Sequence, residues 1–447
     1  MQSKGLKHRA TADPRAASLL ALADVMAGTD SQAALDAVLA GSELTPSDKA
    51  LATELFYGTL RYHLRLEWFL KQKLAKPEGL PDEMLLLLEQ SLYELAHTRI
   101  PAHAGVNWAV DLIRGRFGQG LSKVANGVLR GFERGKKDEY FNKAWYAEKL
   151  GAAEDNPEWK AAWYAVPLWL ARLWEQSYSA ETVQALLEAG ISAPPQALRL
   201  NTRREDINEV LDLLNEYGSE KLTPAAWTLP DKARLPVSVW SKNGLVTRQS
   251  PAAYAALFAL GPETWPQPIW DACAGRGGKT LALLERGIAV QTAGDPSKGR
   301  IRGLQEEYTR LGLTEPPMPE LLNATAQQAG FKESFRTVLV DAPCSGLGTL
   351  AHRPEIRWRR TEKDVEKLAA AQTEILEAVH AALIPSQGSL IAYMTCTMTK
   401  DENEAQTAKF LAGHPEYALE REYRTSLESG PKASYGEFFY TALLRRK

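Results

Sequence analysis

The chain has very few cysteines. Its 447 residues include only Cys273, Cys344 and Cys396. Three widely spaced thiols exclude a scaffold held together by disulfides. The Cys-x-x-Cys and paired Cys/His spacings of zinc sites are also absent. We therefore expect no structural disulfide and no metal ion.

Long apolar runs are missing as well. No segment approaches the roughly 20 apolar residues that a membrane-spanning helix needs. The polar N-terminus, residues 1–14, lacks the apolar stretch of a signal peptide. We find no internal repeat and no low-complexity tract. These absences predict a cytoplasmic protein with no membrane partner, and we expect it to act as a monomer.

The chain also lacks a strong excess of charge. Its net charge is −2, so the total does not point to a nucleic-acid partner. A hydrophobic content of 45% and a charged content of 24% are those of a globular protein. A chain of this length is too long for one ordinary core, which predicts two or three domains.

The periodicity of the apolar residues divides the chain into three predicted domains. Residues 1–137 carry apolar residues at helical spacing almost throughout, with Thr45 as a plausible helix start, which predicts an all-α domain. Residues 138–243 combine amphipathic helices with a short strand near residue 197, which predicts a linker and a small α/β subdomain. From residue 244 to 447, short apolar runs alternate with helical patterns. This alternation is typical of an α/β fold with a doubly wound, mostly parallel sheet.

A glycine-rich turn follows the first predicted strand of that sheet. Gly275, Gly277 and Gly278 allow a tight turn and a close backbone approach to a ligand. The next predicted strand ends at Asp295, where a carboxylate can accept hydrogen bonds from the hydroxyls of a ribose. The pattern therefore favours a cofactor that carries a nucleoside.

Other interpretations of the glycine turn fit less well. A phosphate-binding loop of the NTPase type requires glycine at position 273, where this chain has cysteine. The glycine spacing also differs from the Gly-x-Gly-x-x-Gly of dinucleotide folds. A turn that serves packing alone remains the structural alternative for the three glycines.

Two of the three cysteines follow apolar strands of the same predicted sheet. Cys344 and Cys396 are flanked by serine, threonine or glycine, whereas Cys273 lies between small residues and fits an inert packing role. A serine-hydrolase elbow at Ser345 is excluded because Pro343 and Leu347 occupy its two glycine positions. The carboxyl ends of parallel strands meet at one edge, so Asp341, Cys344 and Cys396 should lie beside the cofactor.

The two cysteine motifs carry a family resemblance. DAPCSGLGTLAHRPEIRW followed by YMTCT resembles the paired motifs of the Sun-type RNA cytosine-5 methyltransferases, and DACAGRGGKT resembles their cofactor motif. The stretch DPSKGRIRGLQEEYTRLGL is similar to the segment after their second strand. RIPAHAGVNWAVDLIR and ANGVLRGFER resemble the NusB-like RNA-binding domain of bacterial members. The likeness covers nearly the whole chain.

The resemblance implies a Rossmann-like, S-adenosylmethionine-dependent methyltransferase domain that acts on RNA, with 16S ribosomal RNA of the small subunit as the substrate. It implies that Cys396 attacks C6 of the cytosine, that Asp341 stabilises the activated base and that Cys344 assists product release. An ordinary strand-end acid and a packing thiol remain the alternatives for Asp341 and Cys344. The expected cofactor-binding residues are Cys273, Ala274, Gly275, Arg276, Gly277, Gly278, Lys279, Asp295, Arg300, Asn323 and Asp341.

The chain departs from the family pattern near the cofactor, since Arg276 replaces a usual proline and Asn323 a usual acid. A basic run after Cys344 is expected to grip RNA phosphates or to stack on a base; its members are Arg353, Arg357, Trp358, Arg359 and Arg360. A charge run of this kind is more often a solvated face. Two alternative functions stay open: a non-catalytic RNA-binding or ribosome-assembly protein with a methyltransferase fold, and the same chemistry on transfer RNA.

Overall fold

A computed structural model describes residues 9–230, 235–425 and 436–447. The described residues form two compact units. The first runs to Ala193 and includes Arg353–Arg359. The second comprises Pro194–His352 and the chain from Arg360 onward. The three predicted domains, 1–137, 138–243 and 244–447, stay a prediction.

The first unit is helical, as predicted for residues 1–137. Its helices of seven or more residues, in chain order, are α1 (Pro14–Met26), α2 (Ser31–Ala40), α3 (Pro46–Lys73), α4 (Asp82–His97), α5 (Ala102–Phe117), α6 (Gln119–Gly135), α7 (Lys143–Leu150), α8 (Pro157–Trp163), α9 (Leu168–Ser177) and α10 (Ala180–Ile191). One core includes Phe56, Phe69 and Phe132 and joins helices α1 to α6. Helix α3 is a single helix of 28 residues.

Several helices begin at a polar N-cap that is followed by proline. Asp13, Thr45, Asn156 and Ser250 each accept a backbone N–H at the start of a helix whose first residue is proline. The proline costs nothing at this position because its missing N–H would have no helical partner. The predicted helix start at Thr45 is confirmed.

The second unit contains two sheets. Strands β1 (Ala197–Leu200), β2 (Ala226–Thr228) and β3 (Val246–Arg248) form a small antiparallel sheet in the order β2-β1-β3. The large sheet contains β4 (Ile269–Asp271), β5 (Thr292–Gly294), β6 (Glu320–Leu322), β7 (Thr337–Asp341), β8 (Leu390–Thr395), β9 (Tyr417–Arg424) and β10 (Tyr440–Arg446). Its order is β6-β5-β4-β7-β8-β10-β9, with β4 to β8 parallel and β10 antiparallel to both of its neighbours. The predicted α/β fold with a mostly parallel sheet is confirmed.

The helices of the second unit are α11 (Asn208–Glu216), α12 (Val237–Lys242), α13 (Pro251–Phe258), α14 (Gly278–Glu285), α15 (Lys298–Arg310), α16 (Glu362–Ala382) and α17 (Glu404–Gly413). Separate apolar clusters pack on the sheet, one around Leu281 and Leu339 and one around Val340 and Leu376. Strand β8 is buried along its whole length, as expected for a parallel strand with both faces covered. None of the described helices has the length and apolarity that crossing a bilayer requires.

The order of the large sheet fixes where a ligand would bind. From β4 the chain proceeds outward through β5 and β6, and it then returns to place β7 and β8 on the other side of β4. A crevice opens at the carboxyl ends of the strands where the winding reverses. Asp271, Asp295, Asp341 and Cys396 all lie at or just after such ends.

Candidate active site

The glycine turn joins β4 to α14. Gly275 and Gly277 have φ angles of +58° and +86°, which a residue with a side chain rarely adopts. A Cβ on Gly277 would lie 2.7 Å from Cγ of Leu304 on α15, so even alanine would force a rearrangement. Because these glycines have no side chains, a ligand at this edge of the sheet can approach the main chain of the turn closely.

Asp271 anchors the first residues of this turn. Its buried carboxylate accepts a hydrogen bond from the Thr280 hydroxyl at 2.6 Å and one from the Cys273 N–H at 3.3 Å. Burial raises the pKa of Asp271 to about 7, with a further rise from the negative charge of Asp341, and the two hydrogen bonds oppose the shift. Asp271 thus ties the end of β4 to the first turn of α14.

Arg199, on β1 of the small sheet, forms hydrogen bonds with residues at both ends of helix α14. Its buried guanidinium donates to both carboxylate oxygens of Glu285, at 2.7 and 3.1 Å, and to the Gly278 carbonyl at 3.0 Å. Both ends of α14 are therefore held by one side chain from β1. Nothing in the sequence pattern around Arg199 indicated this role.

Two polar side chains lie at the ends of β5 and β6. Asp295 accepts the Ser297 N–H at 2.7 Å and lies 3.5 Å from the guanidinium of Arg300, which is mostly exposed. The Asn323 amide donates to the carbonyls of Asp295 and Pro296, at 3.0 and 2.8 Å. Because both bonds use its amide nitrogen, the side-chain oxygen of Asn323 is left as an acceptor.

Arg276 is accommodated by a glycine on the neighbouring helix. A Cβ built on Gly303 of α15 would meet Cζ of Arg276 at 2.9 Å. The guanidinium therefore lies against the backbone of α15 at Gly303, and a side chain there would require it to move. The replacement of the usual proline is matched by a local fit.

Lys279 and Asp341 form an ion pair in the crevice. The ammonium lies 2.6 Å from a carboxylate oxygen of Asp341, and both side chains are largely buried. Burial opposes the charge of Lys279, but the Asp341 carboxylate more than compensates and raises the pKa of Lys279 above its ordinary value. Cys396 and Glu437 contribute in the same direction, which places the Lys279 charge within the electrostatic reach of Cys396.

The two cysteines of the paired motifs meet at the ends of β7 and β8. Their sulfur atoms lie 3.3 Å apart, and both thiols are free. The Cys396 N–H also donates to the Cys344 sulfur at 3.4 Å. The hydrogen bond with Cys396, together with burial, raises the pKa of Cys344 well above its ordinary value. Cys273 instead packs against the core around Trp270, where burial raises the pKa of its thiol.

Glu402 holds the two cysteine-bearing loops in register. Its buried carboxylate accepts the Ser345 N–H at 2.7 Å and the Ser345 hydroxyl at 2.5 Å, directly beside Cys344. It also accepts the Thr399 hydroxyl at 2.7 Å, and the Ser345 hydroxyl lies 2.7 Å from that of Thr397, beside Cys396. Asn403 donates to the Thr397 carbonyl at 3.1 Å and accepts from Thr395.

Sequence reasoning did not find this network. Charged and polar residues such as Glu402 and Asn403 are common at the start of a helix, where they are usually solvated. The helix itself begins at Glu404, and the two residues before it are buried. A polar run at a helix start carries no signal that separates these two roles.

The structure corrects the interpretation of the basic run. The Arg357 guanidinium is fully buried in the first unit and donates to the carbonyls of Arg61 and Gly190, so the prediction that Arg357 grips phosphate is wrong. Arg359 likewise donates to the Thr29 carbonyl, and Trp358 lies against the ring of His63.

The remaining two arginines of the run differ. Arg353 is more than half exposed and pairs with Asp30 at 3.2 Å. In the second unit, Arg360 donates to the Ser345 carbonyl at 3.1 Å, next to Cys344. An RNA contact from either one stays a prediction.

Comparison with known proteins gives a consistent result along the chain. Residues 257–443 match the profile of the family described as 16S rRNA methyltransferase RsmB/F. Residues 12–134 match the NusB family, and residues 166–228 match the RsmF/B-like ferredoxin-like domain.

Curated relatives extend over nearly the full length. Ribosomal RNA small subunit methyltransferase B of Klebsiella pneumoniae subsp. pneumoniae is 34% identical and covers 91% of this chain and 92% of its own. The protein of the same name from Serratia proteamaculans is 32% identical, and the match covers 96% of this chain and 98% of that protein.

Among solved structures, PH0851 matches with a TM-score of 0.73 at 21% identity over 100% of both chains. NSun6 from Pyrococcus horikoshii with SFG matches with a TM-score of 0.50 at 17% identity, over 66% of this chain and 98% of its own, and these two likenesses concern the fold alone. On the strength of the curated relatives and the matched profiles, the chain belongs to the RsmB/F family of 16S rRNA methyltransferases.

Proposed function

We propose that this protein transfers a methyl group from S-adenosylmethionine to C5 of a cytosine in 16S ribosomal RNA, with Cys396 as the nucleophile. The names of the curated relatives support the RNA class. The single observation that carries the chemistry is the arrangement at the ends of β7 and β8. There, two free thiols 3.3 Å apart lie beside the Lys279–Asp341 ion pair.

We infer that the crevice at the ends of β4, β5 and β6 binds S-adenosylmethionine, which supplies the methyl group. The residues fit such a ligand. Gly277 has no side chain to block the approach of a ligand to the main chain of the turn, and the Asp295 carboxylate, just after β5, can accept hydrogen bonds from ribose hydroxyls. The free acceptor of Asn323 suits the amine of an adenine, which is the role that an acid usually fills. The binding set that we propose is Cys273, Ala274, Gly275, Arg276, Gly277, Gly278, Lys279, Asp295, Arg300, Asn323 and Asp341.

Cys396 prepares the base for methylation. Its thiolate adds to C6, and the electron pair of the C5–C6 double bond then makes C5 nucleophilic. We assign Lys279 as the basic side chain that interacts electrostatically with the attacking Cys396 sulfur. Once C5 carries the methyl group and has lost its proton, the bond between sulfur and C6 breaks and restores the double bond.

Asp341 and Lys279 stabilise the charge that attack at C6 places on the ring. Asp341 accepts a hydrogen bond from the exocyclic amine and shares a proton with N3. The Lys279 ammonium, 2.6 Å away, holds this carboxyl in place. The bases of RNA are stacked, so the cytosine must leave its stack to reach this pair.

Cys344 assists the last step. Its pKa is raised, so it stays protonated, and it lies next to the sulfur that must leave C6.

We propose that the other parts of the chain serve RNA binding. Residues 1–137 form the NusB-like RNA-binding domain, and residues 138–243 link it to the catalytic domain of residues 244–447.

The test uses the purified full-length protein, labelled S-adenosylmethionine and small-subunit RNA that lacks the modification. We expect labelled 5-methylcytidine after nucleoside digestion. Cys396→Ala should abolish the product while calorimetry still detects binding of S-adenosylmethionine. Label in a different nucleoside, or turnover by Cys396→Ala at the normal rate, would overturn the proposal. Transfer to tRNA in place of 16S rRNA would overturn the substrate alone.

A further inference from the structure

The Cys344 and Cys396 sulfurs are close enough together for a disulfide bond to form between them after a small movement. They lie 3.3 Å apart as free thiols, and a disulfide bond needs about 2.05 Å. The two loops therefore need to close by little more than one ångström. Both residues are only partly buried, so a small oxidant can reach them.

The backbone holds the pair at this separation. Asp341 and Met394 are paired in the parallel ladder of β7 and β8, only a few residues before the thiols. Beyond the strand ends, the Gly348 N–H donates to the Cys396 carbonyl at 3.0 Å. A Cβ on Gly348 would lie 2.8 Å from that carbonyl oxygen, so this contact depends on glycine. The Glu402 network fixes the same two loops from the other side.

We propose that Cys344 and Cys396 form an oxidation site, at which hydrogen peroxide closes a reversible disulfide and withdraws the nucleophile. The loss of activity rests on the function proposed above, whereas the disulfide itself does not. The site is a modification site with a peroxide as its reactant, distinct from the methyl-transfer step.

The chemistry proceeds in two balanced steps. The thiolate of Cys396 attacks one peroxide oxygen, the O–O bond breaks, and a sulfenic acid and hydroxide form. The Cys344 sulfur then attacks the sulfenic sulfur, the S–O bond breaks, and the hydroxyl leaves as water with the Cys344 proton. Two thiols lose two electrons in total, and one peroxide is reduced to two waters.

The third cysteine provides an internal reference. Cys273 belongs to the β4–α14 turn and packs against the core around Trp270, away from any sulfur partner that the described residues provide. At a peroxide dose that closes the pair, it should remain alkylatable. The closed pair is also shielded from further oxidation, because a disulfide is spared the irreversible step to sulfinic acid.

The test treats the reduced full-length protein with equimolar hydrogen peroxide and then denatures and alkylates it. We expect the intact mass to fall by two hydrogens, one alkylated cysteine at position 273, and a peptide pair that joins Cys344 to Cys396. Methyl transfer should fall to background and return on treatment with dithiothreitol. Alkylation of all three cysteines, or a disulfide that includes Cys273, would overturn the proposal.

Two variants separate this inference from the proposed function. Cys344→Ser should form no disulfide and should instead gain one oxygen atom at Cys396 as a sulfenic acid, while Cys273→Ser should still close the pair. Closure in the Cys344→Ser variant would contradict the assignment. A disulfide in a protein whose reduced form transfers no methyl group would leave the oxidation site standing and refute the enzyme.

Discussion

At the scale of single residues, the charges around Asp341 govern the proposed chemistry. Lys279 lies in the first turn of α14, where a lysine is usually solvated. Its ammonium lies 2.6 Å from Asp341 and interacts electrostatically with Cys396. A partly buried cation at this point can stabilise negative charge that develops during the reaction.

Lys279→Met tests that position. We expect kcat to fall roughly 100- to 1,000-fold, the usual cost of removing one preorganised charge from an active site. Lys363→Met, which removes an exposed lysine at the start of α16, should leave kcat unchanged. Equal activity in the two variants would remove Lys279 from the mechanism.

Asp271 gives a prediction about pH and stability. Its pKa is about 7 in the folded protein and about 3.9 in an unfolded chain, so the folded state binds the proton more tightly. The stabilisation is complete below the unfolded value and is lost as the pH rises through 7, with a total on the order of 4 kcal/mol.

Asp271→Asn has no proton to lose. Thermal unfolding of this variant should depend less on pH between 5 and 8 than that of the natural protein. At pH 8, above the folded pKa of Asp271, the variant should be the more stable of the two. Parallel pH profiles for the two proteins would show that Asp271 does not titrate in this range.

At the scale of secondary-structure elements, Glu402 connects β7 and β8 beyond the end of their ladder. Its carboxylate accepts from Ser345, Thr399 and Gln372, and all of these partners are buried. Removing the carboxylate leaves those donors unpaired and frees the loops that carry Cys344 and Cys396. A displacement of about 1 Å at a reacting group can reduce the rate 100-fold.

Glu402→Ala should therefore lower kcat at least 100-fold while the affinity for S-adenosylmethionine changes little. Glu402→Gln should recover part of the rate, because its amide can still accept on one oxygen and the serine and threonine hydroxyls can rotate. Glu366→Gln, on the exposed face of α16, is the control and should have no effect. If Glu402→Ala lowered only the affinity for S-adenosylmethionine and left kcat unchanged, Glu402 would not position the two cysteine loops.

The elements also show what the sequence could predict. Parallel strands between helices, the glycine turn and the two cysteine strands follow from apolar runs and local motifs, and all are confirmed. Strand β9 was not predicted, because Tyr417–Arg424 is mostly polar and exposed at the edge of the sheet. Strand β10 was also missed, although most of it is buried. Arg199 and Glu402 could not be predicted either, since their partners are 86 and 57 residues away in the chain.

At the scale of the whole molecule, each of the two units is built from segments that are not consecutive in the sequence. Residues Arg353–Arg359 lie between β7 and α16 of the second unit, but they belong to the first. Arg357 is their buried centre, and burial lowers its pKa to about 9. A run that looked like a phosphate-binding surface is therefore part of a folded core.

Arg357→Ala should destabilise the first unit. The change opens a cavity and leaves the carbonyls of Arg61 and Gly190 without donors, at a cost of about 2 to 5 kcal/mol. Arg353→Ala, which removes an exposed side chain, should shift the thermal transition far less. Unchanged melting with weakened RNA binding in Arg357→Ala would restore the phosphate-binding interpretation.

The central claim is that Cys396 forms a covalent bond to C6 of a cytosine in 16S ribosomal RNA. The most direct measurement incubates Cys344→Ala with the RNA and S-adenosylmethionine, isolates protein that carries RNA under denaturing conditions, and maps the linkage by mass spectrometry. The account predicts an adduct on the Cys396 peptide that accumulates in Cys344→Ala and is absent when Cys396→Ala is added. A linkage at another residue, or an adduct that persists without Cys396, would contradict it.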